Sequence, residues 1–319
     1  MGGDASAVRL SFARVQEAAR VIDPVFQQSP QYVCEPLGEA LGVSLTLKVE
    51  TLNPVRCFKG RGAAYCVSML PEDGPLVCAS AGNFGQAMAY ACRSRGRALV
   101  VYAGTSANPL KVERMRAMGA EVRLAGTDFD DAKMAARRFA KEAGLRFVED
   151  GLETATAEGA GTIGLELSGQ RLDAVLIPLG NGALLAGVAL ALRTLAPGVK
   201  IVAIQAAGAP AMTESLRTGK LVSHREMKTI ADGIGVRIPI PEALADLEGL
   251  VDDTLLVKER SIITAMLMIH RHAGLVVEPS AAVGVAALLE NPNMFSGRRV
   301  GTILCGGNLT PEQIREWLL

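Results

Sequence analysis

The sequence predicts an α/β protein. From about residue 40 to the C-terminus, short β-branched runs alternate with helical apolar periodicity, the pattern of parallel strands joined by crossover helices. Glycine-bearing turns recur where a run gives way to a helix, and the 319 residues exceed one ordinary domain, so two lobes of unequal size are expected. With 49% hydrophobic and 21% charged residues, the chain has ample core material and lies outside the disordered class.

Taken in order, residues 44–50 read as a strand, 62–69 as a helix, 76–79 as a strand running toward Gly82, 86–95 as a helix and 99–103 as a strand. Helix 109–118, strand 121–124 and helix 130–142 continue the alternation, with Gly119, Gly126 and Gly144 at or near helix ends. Beyond them come strand 174–178, helix 184–195, strand 201–204, and helix 211–217 stopped by Gly219. Helix 261–273, a short strand 275–277, helix 281–290 and strand 300–304 follow, and Thr310-Pro311 opens a last helix. The pattern divides the chain into a discontinuous large lobe, residues 1–69 and 149–319, and a small mobile lobe, 70–148.

Lys plus Arg equals Asp plus Glu at 33 each, and no basic run stands out, so nucleic acid and acidic membranes are not expected partners. The six cysteines (Cys34, Cys57, Cys66, Cys78, Cys92 and Cys305) form no CxxC pair and read as reduced thiols in a cytoplasm. The N-terminus shows no signal peptide, and the longest apolar stretch, 174–196, is interrupted by Pro178, Gly180, Asn181, Gly182 and Arg193. Neither export nor a membrane span is expected.

Four segments carry candidate chemistry. In the first, Phe58-Lys59-Gly60-Arg61-Gly62, a lysine stands beside glycines. In the second, Gly180, Asn181, Gly182, Ala183 and Leu184 lie between a strand and a helix, where amides converge on a phosphate at the positive end of the helix dipole. An ordinary tight turn has the same composition, and the loop matches neither a P-loop nor GxGxxG. The third, Ser80-Ala81-Gly82-Asn83, again follows a strand and opens a helix. It reads as a small-anion turn or as a plain cap and turn. In the fourth, Cys305-Gly306-Gly307-Asn308 ends the last strand, where ligands of open α/β sheets gather. Cys305 there could meet a heteroaromatic nitrogen or serve as a small hydrophobe. Glu278 follows an apolar run and precedes Pro279, which places it beside a bound ring or in a solvated turn.

In this order the segments closely resemble the fold-type II pyridoxal-phosphate enzymes, the tryptophan synthase β-like fold, in their serine/threonine dehydratase and serine racemase branch. The resemblance covers almost the whole chain, and the run from Val277 to Ala287 is especially similar to the racemase version. It implies two open parallel-sheet lobes with flanking helices, pyridoxal 5'-phosphate as cofactor, and a homodimer. It implies Lys59 as the Schiff-base lysine, with Phe58 beside it. Gly180 to Leu184 would form the phosphate loop, Cys305 would partner the pyridine nitrogen, and Glu278 would approach the ring. Ser80, Ala81, Gly82 and Asn83 would receive the substrate carboxylate, with Asn83 near the ring hydroxyl.

Departures from the family pattern narrow the chemistry. Val55-Arg56-Cys57 replaces the usual Thr-Gly-Ser, and Phe84 a histidine. Ala81 stands where racemases of this branch carry a proton-donating serine, so elimination, which needs one base, is favoured over racemisation. Gln205 and Ala211 stand where the racemase-type divalent site expects acids, so no metal is expected. The residues after Cys305 leave no room for the regulatory domain of allosteric threonine dehydratases, so control by that route is not expected. The expected activity is β-elimination from a 3-hydroxy amino acid such as L-threonine or L-serine, giving a 2-oxo acid and ammonia. The alternatives are β-replacement, as in the cysteine synthase and diaminopropionate synthase branches, racemisation, and a non-catalytic sensor, against which the retained Lys59 argues.

Overall fold

The computed structural model describes residues 9–71 and 74–319. Residues 1–8, on which the signal-peptide reading falls, and 72–73 lie outside the described residues. The described strands are β1 (Gln31–Val33), β2 (Ser44–Val49), β3 (Leu76–Ala79), β4 (Leu99–Ala103), β5 (Glu121–Leu124), β6 (Arg146–Val148), β7 (Ala174–Pro178), β8 (Lys200–Ala206), β9 (Asp253–Val257) and β10 (Arg299–Leu304). They form a six-stranded sheet in the order β1-β2-β10-β7-β8-β9 and a four-stranded sheet in the order β5-β4-β3-β6.

All pairings are parallel except β1 with β2, where Gln31 faces Lys48 in antiparallel register. The last strand in sequence, β10, is central in the large sheet, with Val300 opposite both Leu45 of β2 and Ala174 of β7. Its neighbour β7 reads Ala-Val-Leu-Ile-Pro and is buried throughout, as a strand covered by helices on both faces must be. The edge strand β5, Glu-Val-Arg-Leu, is partly exposed and correspondingly polar.

The helix Lys59–Met69 joins the two lobes. Its Ala63, Cys66 and Val67 share a buried core with Leu76 and Cys78 of β3 and with Phe84, Ala87 and Met88 of the helix Asn83–Ser94. Its other side is pressed against large-lobe elements: a Cβ on Gly62 would sit 2.4 Å from the Thr156 carbonyl oxygen in the helix Thr154–Ala160. Only glycine allows backbones to approach so closely.

That same side carries Arg61, which is 0% exposed. Its guanidinium binds Glu50 through Nε at 2.9 Å and Nη2 at 2.8 Å, Glu166 through Nη1 at 2.6 Å, and Thr162 Oγ1 at 3.0 Å. Lys48 supplies a second cation to Glu166, so two cations meet two carboxylates out of water.

Most predicted elements are present with ends shifted by a few residues, and strands 76–79, 99–103, 121–124 and 174–178 match residue for residue. One expectation is corrected: residues 275–277 form no strand, and just beyond them Glu278 N donates to the Gly306 carbonyl at 3.0 Å. Gly126, with φ 69°, follows strand β5. Helix 62–69 begins earlier, at Lys59, and helix 86–95 at Asn83, so the lysine stands at a helix start and the Ser80–Asn83 segment opens a helix.

Replacing Arg61 with Met leaves Glu50 buried without a cation and Glu166 with Lys48 alone, and should lower unfolding free energy by about 3–5 kcal/mol. Denaturant midpoints test this, and a loss under about 1 kcal/mol would contradict the buried network. For Glu166, burial opposes ionisation, but the hydrogen bonds and charges of Arg61 and Lys48 outweigh it and hold its titration below the ordinary 4.5. A depressed carboxylate contributes stability above its unfolded value and loses it as pH falls through the folded one. Glu166→Gln should therefore flatten the loss of stability as pH falls below the ordinary carboxylate value of 4.5, read from urea midpoints on the acid side.

Candidate active site

Because β2, β10 and β7 run parallel, their C-terminal ends share one edge of the large sheet, where open α/β folds hold ligands. Three candidate segments leave that edge: 50–59 after β2, 305–308 after β10, and 179–184 after β7.

The first two are clasped together. Phe58 N donates to the Cys305 carbonyl at 2.9 Å, Gly307 N to the Arg56 carbonyl at 2.9 Å, and Asn308 Nδ2 to the Val55 carbonyl at 2.9 Å. Arg56 takes a left-handed φ of 53°, an uncommon conformation for a non-glycine residue, and Cys57 then pairs with Gly306. Lys59 is thereby held beside Cys305. Its Nζ donates to Asp150 Oδ2 at 2.6 Å, with the two side chains 13% and 19% exposed. It also lies 4.9 Å and 5.9 Å from the centres of the Phe58 and Phe84 rings.

At the phosphate-type turn, Gly182 adopts φ 101°, which a side chain would strain, and the helix Ala183–Leu195 begins at once. Asn181 Oδ1 accepts from Ala183 N at 3.2 Å and packs on Gly151, the residue after Asp150. The turn and the partner of Lys59 are therefore neighbours.

Glu278 is 3% exposed, against the solvated reading of its sequence context. Its Oε1 accepts from Asn83 Nδ2 at 2.8 Å and its Oε2 from Asn308 N at 3.2 Å, while Asn308 Nδ2 donates to Asn83 Oδ1 at 2.8 Å. This triad crosses from the large lobe to the start of the helix Asn83–Ser94. Burial pushes Glu278 above its ordinary value against the pull of Lys111. Burial also pushes the Cys305 thiol well up, with the charges of Glu278 and Cys57 acting in the same direction. Cys305 therefore faces the cleft as a neutral group.

The Ser80–Asn83 turn departs from the expectation that all its groups surround an anion. Ser80 Oγ accepts from Gly82 N at 3.1 Å and Gly85 N at 2.9 Å, capping the helix from outside, and Asn83 is spent on Glu278 and Asn308. The hydroxyl proton of Ser80 and the first helical amides are what this turn can offer. Ala81 lies within it and brings no titratable group.

Sequence reasoning missed Asp150, Lys111 and Asp232. Asp150 carried a weak signal, an acid before Gly151 just beyond a strand end. Lys111 looked like any lysine of a polar helix, yet it is 6% exposed and its Nζ donates to Asp232 Oδ2 at 2.9 Å. At the position read as a lost metal ligand, Gln205 is 0% exposed and its Oε1 accepts from Thr213 N at 2.9 Å. Among the described residues no cluster of three or more His, Cys, Asp or Glu side chains could hold a metal ion.

An amine at a helix start, a glycine turn opening a second helix and a neutral thiol on one sheet edge describe a cofactor-dependent α/β enzyme. The chain belongs to the family described as pyridoxal-phosphate dependent enzyme, whose pattern matches residues 22–306. It is 33% identical over 305 residues to an L-threonine ammonia-lyase of Thermotoga maritima, covering 94% of this chain and 76% of that protein. Its fold is similar to that of the processed threonine deaminase isoform 2 of Solanum lycopersicum, with TM-score 0.90 and 30% identity over 99% of this chain and 88% of that one. A maize serine racemase is similar at TM-score 0.88 and 27% identity, covering 96% of each chain.

The cofactor is pyridoxal 5'-phosphate, and the residues present fit it. Gly306 leaves a cradle that a Cβ would fill, 2.4 Å from Glu278 Oε1, and one carboxylate oxygen beside Lys59, Asp150 Oδ1, is buried without a partner.

All six cysteines are free and buried, and burial pushes the Cys57 and Cys92 thiols up to about 12. An aromatic disulfide reagent at about pH 8 should therefore label the native protein only as fast as it unfolds. Rapid labelling of any thiol under native conditions would contradict this environment.

Proposed function

We propose that the protein is a lyase that eliminates the β-hydroxyl of a 3-hydroxy amino acid such as L-threonine or L-serine and releases a 2-oxo acid and ammonia. The observation that carries this reading is the lysine at the helix start facing a turn whose second residue is alanine. Lys59 Nζ is held by Asp150 at 2.6 Å, while Ala81, on the turn proposed to hold the substrate, has no proton to return from the opposite face. The named activities of the relatives from Thermotoga maritima and Solanum lycopersicum support it.

Pyridoxal phosphate, bound through Lys59, supplies the sink for the electron pair left when the α-proton departs. Lys59 Nζ, which Asp150 holds at 2.6 Å, would be the group placed to take that proton. The amides of Gly182 to Leu184 hold the phosphate, and Asn181 shapes their turn through Ala183 N. Cys305 is the group that would partner the cofactor's ring nitrogen, and as a neutral thiol it would add no negative charge there, which would suit prompt loss of a β-substituent. The Ser80 hydroxyl and the helix start after Gly82 receive the substrate carboxylate. Asn83 and Glu278 brace the ring side, and Phe58 and Phe84 exclude water around Nζ.

We further propose that residues 70–148 close over the substrate as a small lobe, that the protein works as a homodimer in the cytoplasm, and that it engages neither nucleic acid nor membrane. The edge strand β1, with Tyr32 and Val33 41% and 49% exposed, supports a partner surface, and the six free thiols support a reducing compartment. No helix among the described residues is long and apolar enough to cross a membrane.

Lys59→Ala should abolish the visible absorbance of the purified protein and reduce turnover at least about a thousandfold. L-Threonine, L-serine and 3-hydroxyaspartate should be screened for keto-acid release, with and without added thiol or amine nucleophiles. Product that forms only with a nucleophile would mean replacement, and silence across the panel would sink the assignment.

A further inference from the structure

The cleft holds a second lysine. Lys111 lies in the helix Pro109–Ala117, which packs against the Ser80–Asn83 side of the cleft, and a Cβ built on Gly82 would be 3.9 Å from its Nζ. A lysine 6% exposed needs a reason to be there, because burying an ammonium is costly unless it is paired. Asp232, which is largely exposed, gives it a hydrogen bond at 2.9 Å from a short turn of the large lobe, Asp232–Ile234. Among the described residues Asp232 is its one hydrogen-bond partner, and an ammonium has three protons to give. Burial acts to lower its titration, but the charges of Asp232 and Glu278 outweigh that and leave it above the ordinary value, so Lys111 stays a fixed positive charge.

The turn beneath it needs that charge. Ser80 Oγ and the amides of Gly82 and Gly85 already satisfy one another, and Asn83 is bound to Glu278 and Asn308. Neutral donors remain, next to two carboxylates, Glu278 and Asp232, that repel an incoming anion. We propose that Lys111 is a substrate-anchoring residue: its ammonium, held over Gly82 by Asp232, binds the carboxylate of the amino acid that enters the cleft. The inference deepens the proposed function and rests on the Ser80–Asn83 turn being the carboxylate site. Because Lys111 and Asp232 come from opposite sides of the cleft, a carboxylate on Lys111 also draws the two sides together. Arg114 Nη1, from the same helix as Lys111, reaches Asn308 Oδ1 at 2.7 Å, and Arg237 pairs with Asp130; both contacts span the same gap.

The test compares the holoenzyme with Lys111→Met and Lys111→Arg. Absorbance changes on titration with L-alanine, which has no β-leaving group, report binding, and steady-state kinetics are run with a hydroxy amino acid and with its methyl ester. Losing one charge-assisted hydrogen bond should weaken L-alanine binding and raise KM for the acid about ten- to a hundredfold. The ester should be unaffected, the visible absorbance and thermal midpoint should stay near those of the parent, and the arginine variant should keep the parent's acid-over-ester preference within about threefold. The inference is overturned if the methionine variant binds L-alanine as tightly as the parent, if acid and ester suffer equally, or if the arginine variant loses the preference as fully as the methionine one. If no hydroxy amino acid yields a keto acid while L-alanine binding still depends on Lys111, the dehydratase reading fails and the anchor stands.

Discussion

The position of Lys59 depends on Arg61. A guanidinium with no solvent contact, two residues into the same helix, is shared among Glu50 at the end of β2, Glu166 in the helix Thr162–Leu167, Thr162 and, through Nη2 at 3.1 Å, Ser29. Arginine suits the place because its rigid fork serves several acceptors at once and cannot shed its charge. Three further stretches of chain, at Ser29, at Glu50 and in the helix Thr162–Leu167, are thereby referred to one planar group, which fixes the helix start that carries Lys59 against the sheet edge. Gly60 and Gly62 serve the same end, since larger residues would push the helix off Phe26 and Thr156.

From that fixed point the cleft is built by pairing. Lys59 is matched to Asp150, Lys111 to Asp232, and Glu278 to two asparagines, so each charge in a poorly hydrated space has a partner. Most of these pairs join the large sheet's edge to the elements around β3 and β4. They are individually modest and exchangeable with ligand groups, whereas the Arg61 cluster is fully internal. The contrast separates a fully buried ionic frame from partly exposed pairs at the cleft.

Much of this was legible in the residues. The alternation of β-branched runs and helical periodicity predicted the fold class, because the period is a local property that packing rarely overturns. The motifs around Lys59, Ser80, Gly180 and Cys305 stood out through their order along the chain, since each alone could be an ordinary turn. Where the reading failed, a non-local contact decided. Residues 275–277 have strand composition, yet no strand lies beside them to complete a ladder. Glu278 looked solvated until the turn at 306–308 closed over it. The antiparallel β1 is three residues long, too short for any pattern.

The sequence by itself determined the class of fold and singled out the short runs around Lys59, Ser80, Gly180 and Cys305, since the composition of each is local. It also carried the absence of a proton-donating side chain at position 81. Tertiary structure alone decided which acids and bases face one another. Asp150 lies 91 residues from Lys59, Asp232 lies 121 from Lys111, and Glu166 lies 105 from Arg61. Such pairs leave no periodic trace in the chain, because an electrostatic partner is chosen by distance in space and burial, and both exist only after the sheets have formed.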